Sequence, residues 1–413
     1  MILKSIRKTN LVESFLSLSS LQFINMILPL ITLPYLVRVI GADYFGLISV
    51  ALSVVMLFNL FVEFGFNLSA TKIISVNRNN LHKISKTFFA VFYSKLLLFF
   101  ISLFIFFFLA YFIDYVSDNI LLFYITFGLV LGNLFLPVWF YLGIEKMRYL
   151  TVTTVILKII ATVMVFFLIK EKEDYLIFPL LNSIASIVSG IIVFFFAVHK
   201  FNLIFFRPPL KEIKIQLLSS LHFFLSKFST QGSRYLVITL IGIYFGNLIA
   251  GFYAMADKIY MAAMSIGGVT SQSLYPFMSE KRDIRLYRKI FYSITGLVIL
   301  ILIPCIYLEE KIILLLFGLN EPILSYIFVI LMLSLPFGVV SQLISYPLLA
   351  AFNFDKYANN SLIFSSIIYL VTVFLILLIT NNIYYVACSV IFYNILRVFF
   401  AYYYIRKSKI LNE

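Results

Sequence analysis

The stretch FFISLFIFFFLAYF, residues 99–112, contains no charged residue. It also lacks the strict alternation of apolar and polar side chains that is typical of strands in a membrane barrel. An isolated helix satisfies its own backbone hydrogen bonds, whereas other backbone conformations leave polar groups without partners in lipid. Extended outward to residues 87–113, the stretch exceeds the roughly 20 residues that cross a hydrocarbon core of about 30 Å. The sequence therefore predicts a membrane-spanning helix here.

Eleven further stretches have the same length and apolar character, so the sequence predicts an all-α integral membrane protein with about twelve transmembrane helices. The predicted spans are 14–40, 44–70, 87–113, 119–142, 149–169, 175–198, 215–245, 248–275, 289–308, 322–350, 361–380 and 382–404.

Composition supports the same class of protein. Of the 413 residues, 62% are hydrophobic and 12% are charged, about half of the roughly 25% charged residues usual for soluble domains. A formal net charge of +14 would suggest nucleic acid as the partner of a soluble protein. Here the basic residues lie mainly in short loops between apolar stretches, which indicates membrane topology and no nucleic-acid partner.

The loop charges predict the orientation. Alternate loops and the two ends of the chain hold 22 of the 32 basic residues, whereas the opposite loops hold mostly acidic residues. Because basic loops stay on the cytoplasmic side, we expect both termini in the cytoplasm. The basic start, with Lys4, Arg7 and Lys8, leads into a long apolar stretch that we expect to be retained as the first helix. The loops are too short for a catalytic domain outside the membrane.

An internal repeat divides the chain into two predicted lobes, residues 1–205 and 206–413, with six helices each. VIGADYFGLISVAL (39–52) aligns with YFGNLIAGFYAMAD (244–257) at an offset of 205 residues. Gly41 then corresponds to Gly246, and Gly46 to Gly251. The two six-helix lobes have the same orientation in the membrane. The pseudo-repeat is therefore parallel, and its symmetry axis runs along the membrane normal. Transporters of this kind carry substrate between the lobes and alternate access by rocking them.

Four segments resemble the Wzx-type polysaccharide (O-antigen) flippases of the MOP superfamily, which also includes multidrug exporters and the lipid II flippase. They are LPYLVRVIGADYFGLISVA (33–51), PVWFYLGIEKMRYLTV (137–152), GFYAMADKIYMAAMSIGGVTSQSLYPFMS (251–279) and LLLFGLNEP (314–322). The resemblance extends over nearly the whole chain.

The resemblance implies a flippase of the bacterial inner membrane. Its expected cargo is an undecaprenyl-pyrophosphate-linked oligosaccharide, moved from the cytoplasmic to the periplasmic leaflet by alternating access. It also implies coupling to an H⁺ or Na⁺ gradient without a bound cofactor, membrane lipids as surroundings, and a glycan polymerase and chain-length proteins as partners.

Charges within the predicted spans are the candidate site residues, because each costs about 2.5–3.5 kcal/mol at the bilayer centre. Arg234 lies twelve residues before Gly246 and Asp257 lies eleven residues after it. At 1.5 Å per residue both are about 18 Å from that turn, and therefore at nearly equal depth. Arg234 is expected either to bind the pyrophosphate, which its planar guanidinium suits, or to form a structural ion pair with Asp257.

The remaining charges give open alternatives. Lys258, Lys227, Lys158 and Arg38 are candidates for a cationic substrate cavity. Glu63 and Asp257 are candidates for ion coupling, although Glu63 is equally suited to pair with a basic neighbour such as Lys95. For Lys95 and Arg397, near the inner edge of the membrane, we expect snorkelling to the interface. Four tyrosines are candidates to stack on sugar rings: Tyr141, Tyr235, Tyr253 and Tyr260.

Several classes of chemistry have no signature here. There is no G-x-x-x-x-G-K-[ST] loop for ATP, the three histidines have no metal-ligand spacing, and no nucleophile–base pair stands out. We therefore expect no enzyme and no metal site. Two alternatives to a flippase remain: an ion-coupled multidrug exporter of the same superfamily, and a membrane-embedded glycan polymerase or ligase. An excess of cations within the spans favours an anionic, phosphate-bearing cargo.

Overall fold

The computed structural model describes residues 2–408, with side chains from residue 19 onward and those of Glu13 and Ser17. Of the basic residues used to predict the orientation, the side chains of Lys4, Arg7 and Lys8, and the whole of Lys409, lie outside the described residues. Throughout residues 2–408 the regular structure is helical, without strands, as the sequence predicts.

The first half of the described chain contains nine α-helices. They are α1 Ile2–Glu63, α2 Phe66–Val76, α3 Leu81–Phe112, α4 Asp114–Ser117, α5 Ile120–Phe135, α6 Val138–Gly143, α7 Met147–Leu168, α8 Ile177–Lys200 and α9 Leu210–Lys227. A 3₁₀ helix, Lys172–Leu176, precedes α8, and a π-helix, Phe228–Gly232, follows α9.

The second half contains six. They are α10 Ser233–Lys281, α11 Ile284–Tyr307, α12 Glu309–Phe317, α13 Pro322–Ile344, α14 Asp355–Ile379 and α15 Ile383–Ser408. A second π-helix, Ser345–Ala350, extends α13.

Within the described residues, ten helical segments are long and apolar enough to cross a membrane. Two of them are far longer than one span requires: Ser19–Val76 has 58 residues and Leu210–Lys281 has 72, whereas about 20 suffice. Each is interrupted by a glycine with non-helical backbone angles, so each accounts for two of the predicted spans. The ten segments therefore contain the twelve stretches that the sequence predicted.

The two interrupting glycines are the pair that the repeat aligned. Gly41 has φ 84° and ψ 165°, and Gly246 has φ 82° and ψ 174°. Side chains other than glycine rarely adopt such positive φ values because the Cβ atom clashes with the backbone. The same break in the same conformation, 205 residues apart, supports the internal repeat.

The described residues form two compact units whose boundary differs from the predicted lobe boundary. Unit 1 comprises residues in the ranges 1–41 and 50–228, and unit 2 comprises residues in the ranges 42–49 and 229–413. Helix α9 falls in unit 1 because it packs against α2 and α3, with Ser69 and Ser220 hydrogen-bonded at 2.6 Å. The lobe boundary between residues 205 and 206, as a statement about the repeat, stays a prediction.

Small residues bring helices of unit 1 into close contact. Helices α5 and α8 pack together extensively, and a Cβ atom added to Gly132 would lie 2.2 Å from Oγ of Ser186. One added to Gly190 would lie 2.4 Å from the carbonyl oxygen of Gly132. Close backbone approach through small residues is the usual way in which helices associate in lipid, where no hydrophobic force drives them together.

The second aligned glycine pair forms a reciprocal contact within unit 2. A Cβ atom added to Gly46 would lie 1.8 Å from the carbonyl oxygen of Asn247, and one added to Gly251 would lie 2.2 Å from that of Ala42. Each glycine therefore faces the backbone one turn before the other glycine. A side chain at either position requires the two helical segments to move apart.

We expect Gly46→Ala to destabilise the protein by about 1–3 kcal/mol, since the obstructing atom belongs to the backbone and cannot rotate away. Thermal unfolding of the purified protein in detergent measures this effect. Gly296→Ala is the matched control, because no atom lies within 4 Å of its added Cβ and alanine favours the helix. An unchanged unfolding temperature for Gly46→Ala would show that this close contact is absent.

Candidate functional site

Arg234 and Asp257, on α10 of unit 2, form an ion pair. The Arg234 Nε donates to both carboxylate oxygens at 3.0 Å, and one terminal guanidinium nitrogen donates as well. They lie on opposite sides of the Gly246 break. Their nearly equal spacing from that residue predicted that they lie at a similar depth, where they can meet. The side chain of Asp257 is 5% exposed and that of Arg234 is 27% exposed. The structural pair is thus present, whereas pyrophosphate binding by Arg234 stays a prediction.

The Arg234 guanidinium retains donors beyond those used by the carboxylate. Guanidinium has five N–H groups in a planar fork, and no described residue other than Asp257 accepts a hydrogen bond from it. Its centre lies 5.8 Å from the ring centroid of Tyr235. A partly exposed guanidinium with free N–H groups can bind the oxygens of a phosphate.

Lys258 follows Asp257 on the same helix and is partly buried. Among the described residues, no carboxylate lies within ion-pair distance of its ammonium group, and none of their oxygens accepts a hydrogen bond from it. Successive helical residues point about 100° apart, so Lys258 does not share the position of the Arg234–Asp257 pair. It places a positive charge without a carboxylate partner next to that pair.

Glu63 of unit 1 pairs with Lys227, whose Nζ lies 2.5 Å from Oε2 of Glu63. The glutamate side chain is 8% exposed and the lysine side chain is 35% exposed. Glu63 therefore has a basic partner, which was one of its two predicted roles. The partner is Lys227 and not Lys95. A role of Glu63 in ion coupling and a role of Lys227 in substrate binding both stay predictions.

Lys95 contradicts the prediction of snorkelling, since it is buried with 1% of its surface exposed. Its ammonium group donates to the backbone carbonyl and the side-chain oxygen of Asn133 and to the carbonyl of Leu136, and lies 4.9 Å from the ring centroid of Trp139. Pro137 has no N–H to donate to the carbonyl of Asn133 four residues earlier. The break between α5 and α6 therefore offers acceptors that attract the ammonium inward.

Lys158 of unit 1 is exposed and donates to Oδ1 of Asn25 at 2.6 Å. The two residues line a small pocket with Thr32, Thr162 and Asn182. No carboxylate lines this pocket, so its charge is positive. Arg38, the remaining cationic candidate, is exposed three residues before the break at Gly41. Lys158 and Arg38 belong to unit 1, whereas Arg234 and Asp257 belong to unit 2, so a role of either in substrate binding stays a prediction.

Arg397 is partly exposed and also contacts a polar group of the chain, so its snorkelling stays a prediction. Its Nη1 donates to Oδ1 of Asn394 at 3.3 Å, and its Nε is buried with no hydrogen-bond acceptor among the described residues. Nδ2 of Asn394 donates in turn to the hydroxyl of Tyr260 at 2.8 Å. Tyr260, Tyr253 and Tyr141 are 6%, 3% and 0% exposed. These three rings are therefore closed to a sugar, and only Tyr235 of the four candidates is partly exposed.

Sequence reasoning missed the asparagines that hold these cations. Asn25 binds Lys158, Asn133 binds Lys95 and Asn394 binds Arg397. Asn133 also donates to Oδ1 of Asn59 at 2.9 Å. Their amides are polar groups within apolar spans, and that was the available signal.

We expect Lys95→Met to destabilise the protein by about 1–3 kcal/mol, because it leaves buried carbonyl groups without a donor. Thermal unfolding in detergent measures the loss. Trp139 is the only tryptophan, so its fluorescence reports directly on the missing ammonium. Lys83→Met is the control, since Lys83 is exposed. Equal unfolding temperatures and emission spectra for both variants would contradict the described position of Lys95.

Comparison with known proteins identifies a family and relatives that this chain matches. The family model described as "Polysaccharide biosynthesis protein" matches residues 11–282, more than half of the chain. A protein of Escherichia coli (strain K12) named "Putative O-antigen transporter" is 27% identical over 273 residues, which is 66% of each chain. A protein of Shigella dysenteriae with the same name is 30% identical over 62% of this chain and 64% of its own. Each alignment covers just under two thirds of the relative.

Solved structures share the fold. "Lipid II flippase MurJ, inward closed conformation" superposes with a TM-score of 0.75 at 15% identity, over 94% of this chain and 87% of that chain. A multidrug resistance MATE family transporter of the MOP superfamily, inward-facing, superposes with a TM-score of 0.60 at 12% identity, over 94% and 99%. At 12–15% identity these likenesses concern the fold alone.

The family match covers most of the first unit and extends through α10, which includes Arg234, Asp257 and Lys258. The helical fold agrees with that of the solved structures, and the long apolar helices agree with a membrane location. This chain is therefore a multi-pass membrane protein that belongs to the polysaccharide biosynthesis protein family.

Proposed function

We propose that this protein is a flippase for a lipid-linked oligosaccharide. It moves an undecaprenyl-pyrophosphate-linked O-antigen or similar surface-glycan repeat unit from the cytoplasmic to the periplasmic leaflet of the bacterial inner membrane. Three findings support the proposal: the family match, two relatives named as O-antigen transporters, and a fold shared with a lipid II flippase. The fold suits alternating access, and the loop charges favour cytoplasmic termini.

One observation carries the choice of cargo: positive charge exceeds negative charge within the spans. Two carboxylates, Glu63 and Asp257, each have a cationic partner. Four further cations have no carboxylate within ion-pair distance among the described residues: Lys95, Lys158, Lys258 and Arg397. A charge at the bilayer centre costs about 2.5–3.5 kcal/mol, so retaining several unpaired cations favours a function for them. An anionic cargo provides the missing negative charge.

Arg234 and Lys258 are the cations best placed to bind the pyrophosphate in unit 2. The free N–H groups of Arg234 suit bidentate contact with phosphate oxygens, and Lys258 adds a point charge beside them. A pyrophosphate bound through the free N–H groups shares the guanidinium charge with the Asp257 carboxylate. Binding of cargo would then weaken the Arg234–Asp257 pair.

Coupling to an H⁺ or Na⁺ gradient is part of the same proposal. An ion moving down 100 mV supplies about 2.3 kcal/mol per charge, and Asp257 and Glu63 are the carboxylates available within the spans. Each is held by a cation, so movement of that cation would free the carboxylate to bind the coupling ion. A glycan polymerase and chain-length proteins are the proposed partners, since they would use the exported unit.

Two other functions compete with this proposal. A multidrug exporter has the same fold, but the excess of cations described above would repel cationic drugs. A membrane-embedded polymerase or ligase would require a reactive centre. In residues 2–408 most charged groups of the spans are held by ion pairs or amides, an arrangement that favours binding and release.

Deletion of the gene tests the function. We expect loss of the surface glycan and accumulation of lipid-linked repeat units on the cytoplasmic side. The wild-type gene on a plasmid should restore the glycan and remove the accumulated units. Polymerised glycan that persists in the deletion strain, with increased drug sensitivity, would favour the exporter.

The same strain separates the two roles of Arg234. If Arg234 binds the cargo, Arg234→Ala and the double variant Arg234→Ala/Asp257→Ala both fail to export, because neither supplies the guanidinium. If Arg234 only neutralises Asp257, the double variant regains export, since removing both partners leaves no buried charge. Membrane levels of each variant provide the control, and recovery of export by the double variant would exclude cargo binding by Arg234.

We expect Glu63→Gln to alter the dependence of transport on external pH while leaving cargo binding intact, because glutamine keeps the shape and cannot exchange a proton. Transport of labelled lipid-linked oligosaccharide into proteoliposomes, measured across imposed pH gradients, detects the change. Glu145→Gln, which removes the loop ion pair with Arg78, is the matched control. An identical pH profile in wild type and Glu63→Gln excludes Glu63 from coupling.

A further inference from the structure

Helix α11, Ile284–Tyr307, is packed far less than the other membrane-spanning helices. Only 6% of its most apolar window is buried, whereas the other candidate spans range from 22% to 78%. Its main contacts within unit 2 are with α13. A wide face of this helix is therefore exposed, and lipid must contribute to its position.

One face of α11 carries a continuous set of exposed side chains. Arg285, Arg288 and Lys289 occupy its first turns, Tyr292 follows at 69% exposure, and Leu300 and Ile303 continue at 67% and 65%. Residues three or four apart lie on the same face of a helix. Tyr287 and Val298, on the opposite side, are buried. The order along the exposed face is thus cationic, aromatic and then apolar.

We propose that this face binds an anionic phospholipid, with its phosphate group at Arg285, Arg288 and Lys289 and its acyl chains along the apolar part. The order of side chains matches the order of chemical groups in such a lipid. Tyrosine is enriched at the level of the headgroups, where its ring contacts both water and hydrocarbon. Gly296 lies between Tyr292 and Leu300 and leaves a notch, since a Cβ added there would meet no atom within 4 Å.

The charges at this end of unit 2 are not used within the chain. In the described residues, Arg285, Arg288 and Lys289 form no ion pair. The carboxylate of Asp283 is taken by the helix cap, where it accepts from the backbone N–H groups of Arg285 and Leu286. These three cations in the first turns of α11 therefore remain available to an external anion.

The loops of unit 1 differ in this respect. Three of their basic residues have carboxylate partners: Arg78 with Glu145 at 2.7 Å, Lys86 with Glu212 at 2.8 Å, and Arg148 with Glu13 at 3.3 Å. Other basic residues of unit 1, such as Arg207 and Lys211, are exposed and form no ion pair in the described residues. The free cations of unit 2 coincide with its least buried helix, which favours a ligand from the lipid phase.

A phospholipid fits this surface better than the polyprenyl cargo of the proposed function. The face lies on the outside of a helix with few protein contacts, whereas cargo must reach charges within the spans. Clusters of basic residues beside a membrane helix attract anionic lipids, each residue strengthening binding by about fivefold. The proposal depends neither on the cargo nor on which leaflet contains this end of α11.

Native mass spectrometry of the purified, delipidated full-length chain tests the proposal, with added phosphatidylglycerol compared with phosphatidylcholine. We expect the wild type to retain phosphatidylglycerol preferentially. The triple variant Arg285→Gln/Arg288→Gln/Lys289→Gln should retain it at least about tenfold less well. The control is Arg207→Gln/Lys211→Gln/Lys214→Gln, which removes three exposed cations at the start of α9, and should lose far less of the lipid because its span is more buried than α11.

A second variant keeps the test decisive if the triple variant fails to fold. Gly296→Leu retains every charge and contacts no protein atom through its Cβ, but fills the notch and should weaken retention of phosphatidylglycerol. Equal losses in the α11 triple variant and the control would show a net-charge effect and overturn the proposal. Retention of undecaprenyl phosphate without retention of phosphatidylglycerol would also overturn it, by assigning the face to cargo.

Discussion

The hydrocarbon core of a membrane offers no hydrogen-bond donor or acceptor, and this constraint governs where the polar groups of this protein lie. Each charged side chain within a span must find a partner in the chain, reach water or bind a ligand. Arg234 binds Asp257, and Lys227 binds Glu63. Lys95 instead binds carbonyl groups at a break before Pro137. The same constraint thus produces an ion pair at two places and a cation held by backbone dipoles at a third.

The cations that exceed the carboxylates give the interior its chemical character. A protein that only needed stable spans would lose little by replacing Lys158 or Lys258 with apolar residues, since neither neutralises a carboxylate. Their presence is consistent with the negatively charged cargo of the proposed function. The Arg234–Asp257 pair suits a site that must also release an anion, because the carboxylate already neutralises part of the guanidinium charge.

Glycine at four positions determines how the long helical segments are divided and packed. Gly41 and Gly246 interrupt the helices with nearly identical backbone angles, and Gly46 and Gly251 allow a close contact within unit 2. Peripheral helices follow a different rule. Helix α11 has few protein contacts, so the lipid around it takes the place of packing, and its basic first turns lie where a headgroup can bind.

Much of the architecture was determined by the sequence alone, because it depends on local physical requirements. Apolar length predicted the spans, glycine alignment predicted both breaks, and helical rise predicted that Arg234 and Asp257 lie at equal depth. Only the tertiary structure decided which distant helices meet. Lys95 binds Asn133 and Lys227 binds Glu63, across 38 and 164 residues, and α9 joins unit 1. Helical periodicity shows which residues share a face of one helix, but contains no information on the neighbour that this face will contact.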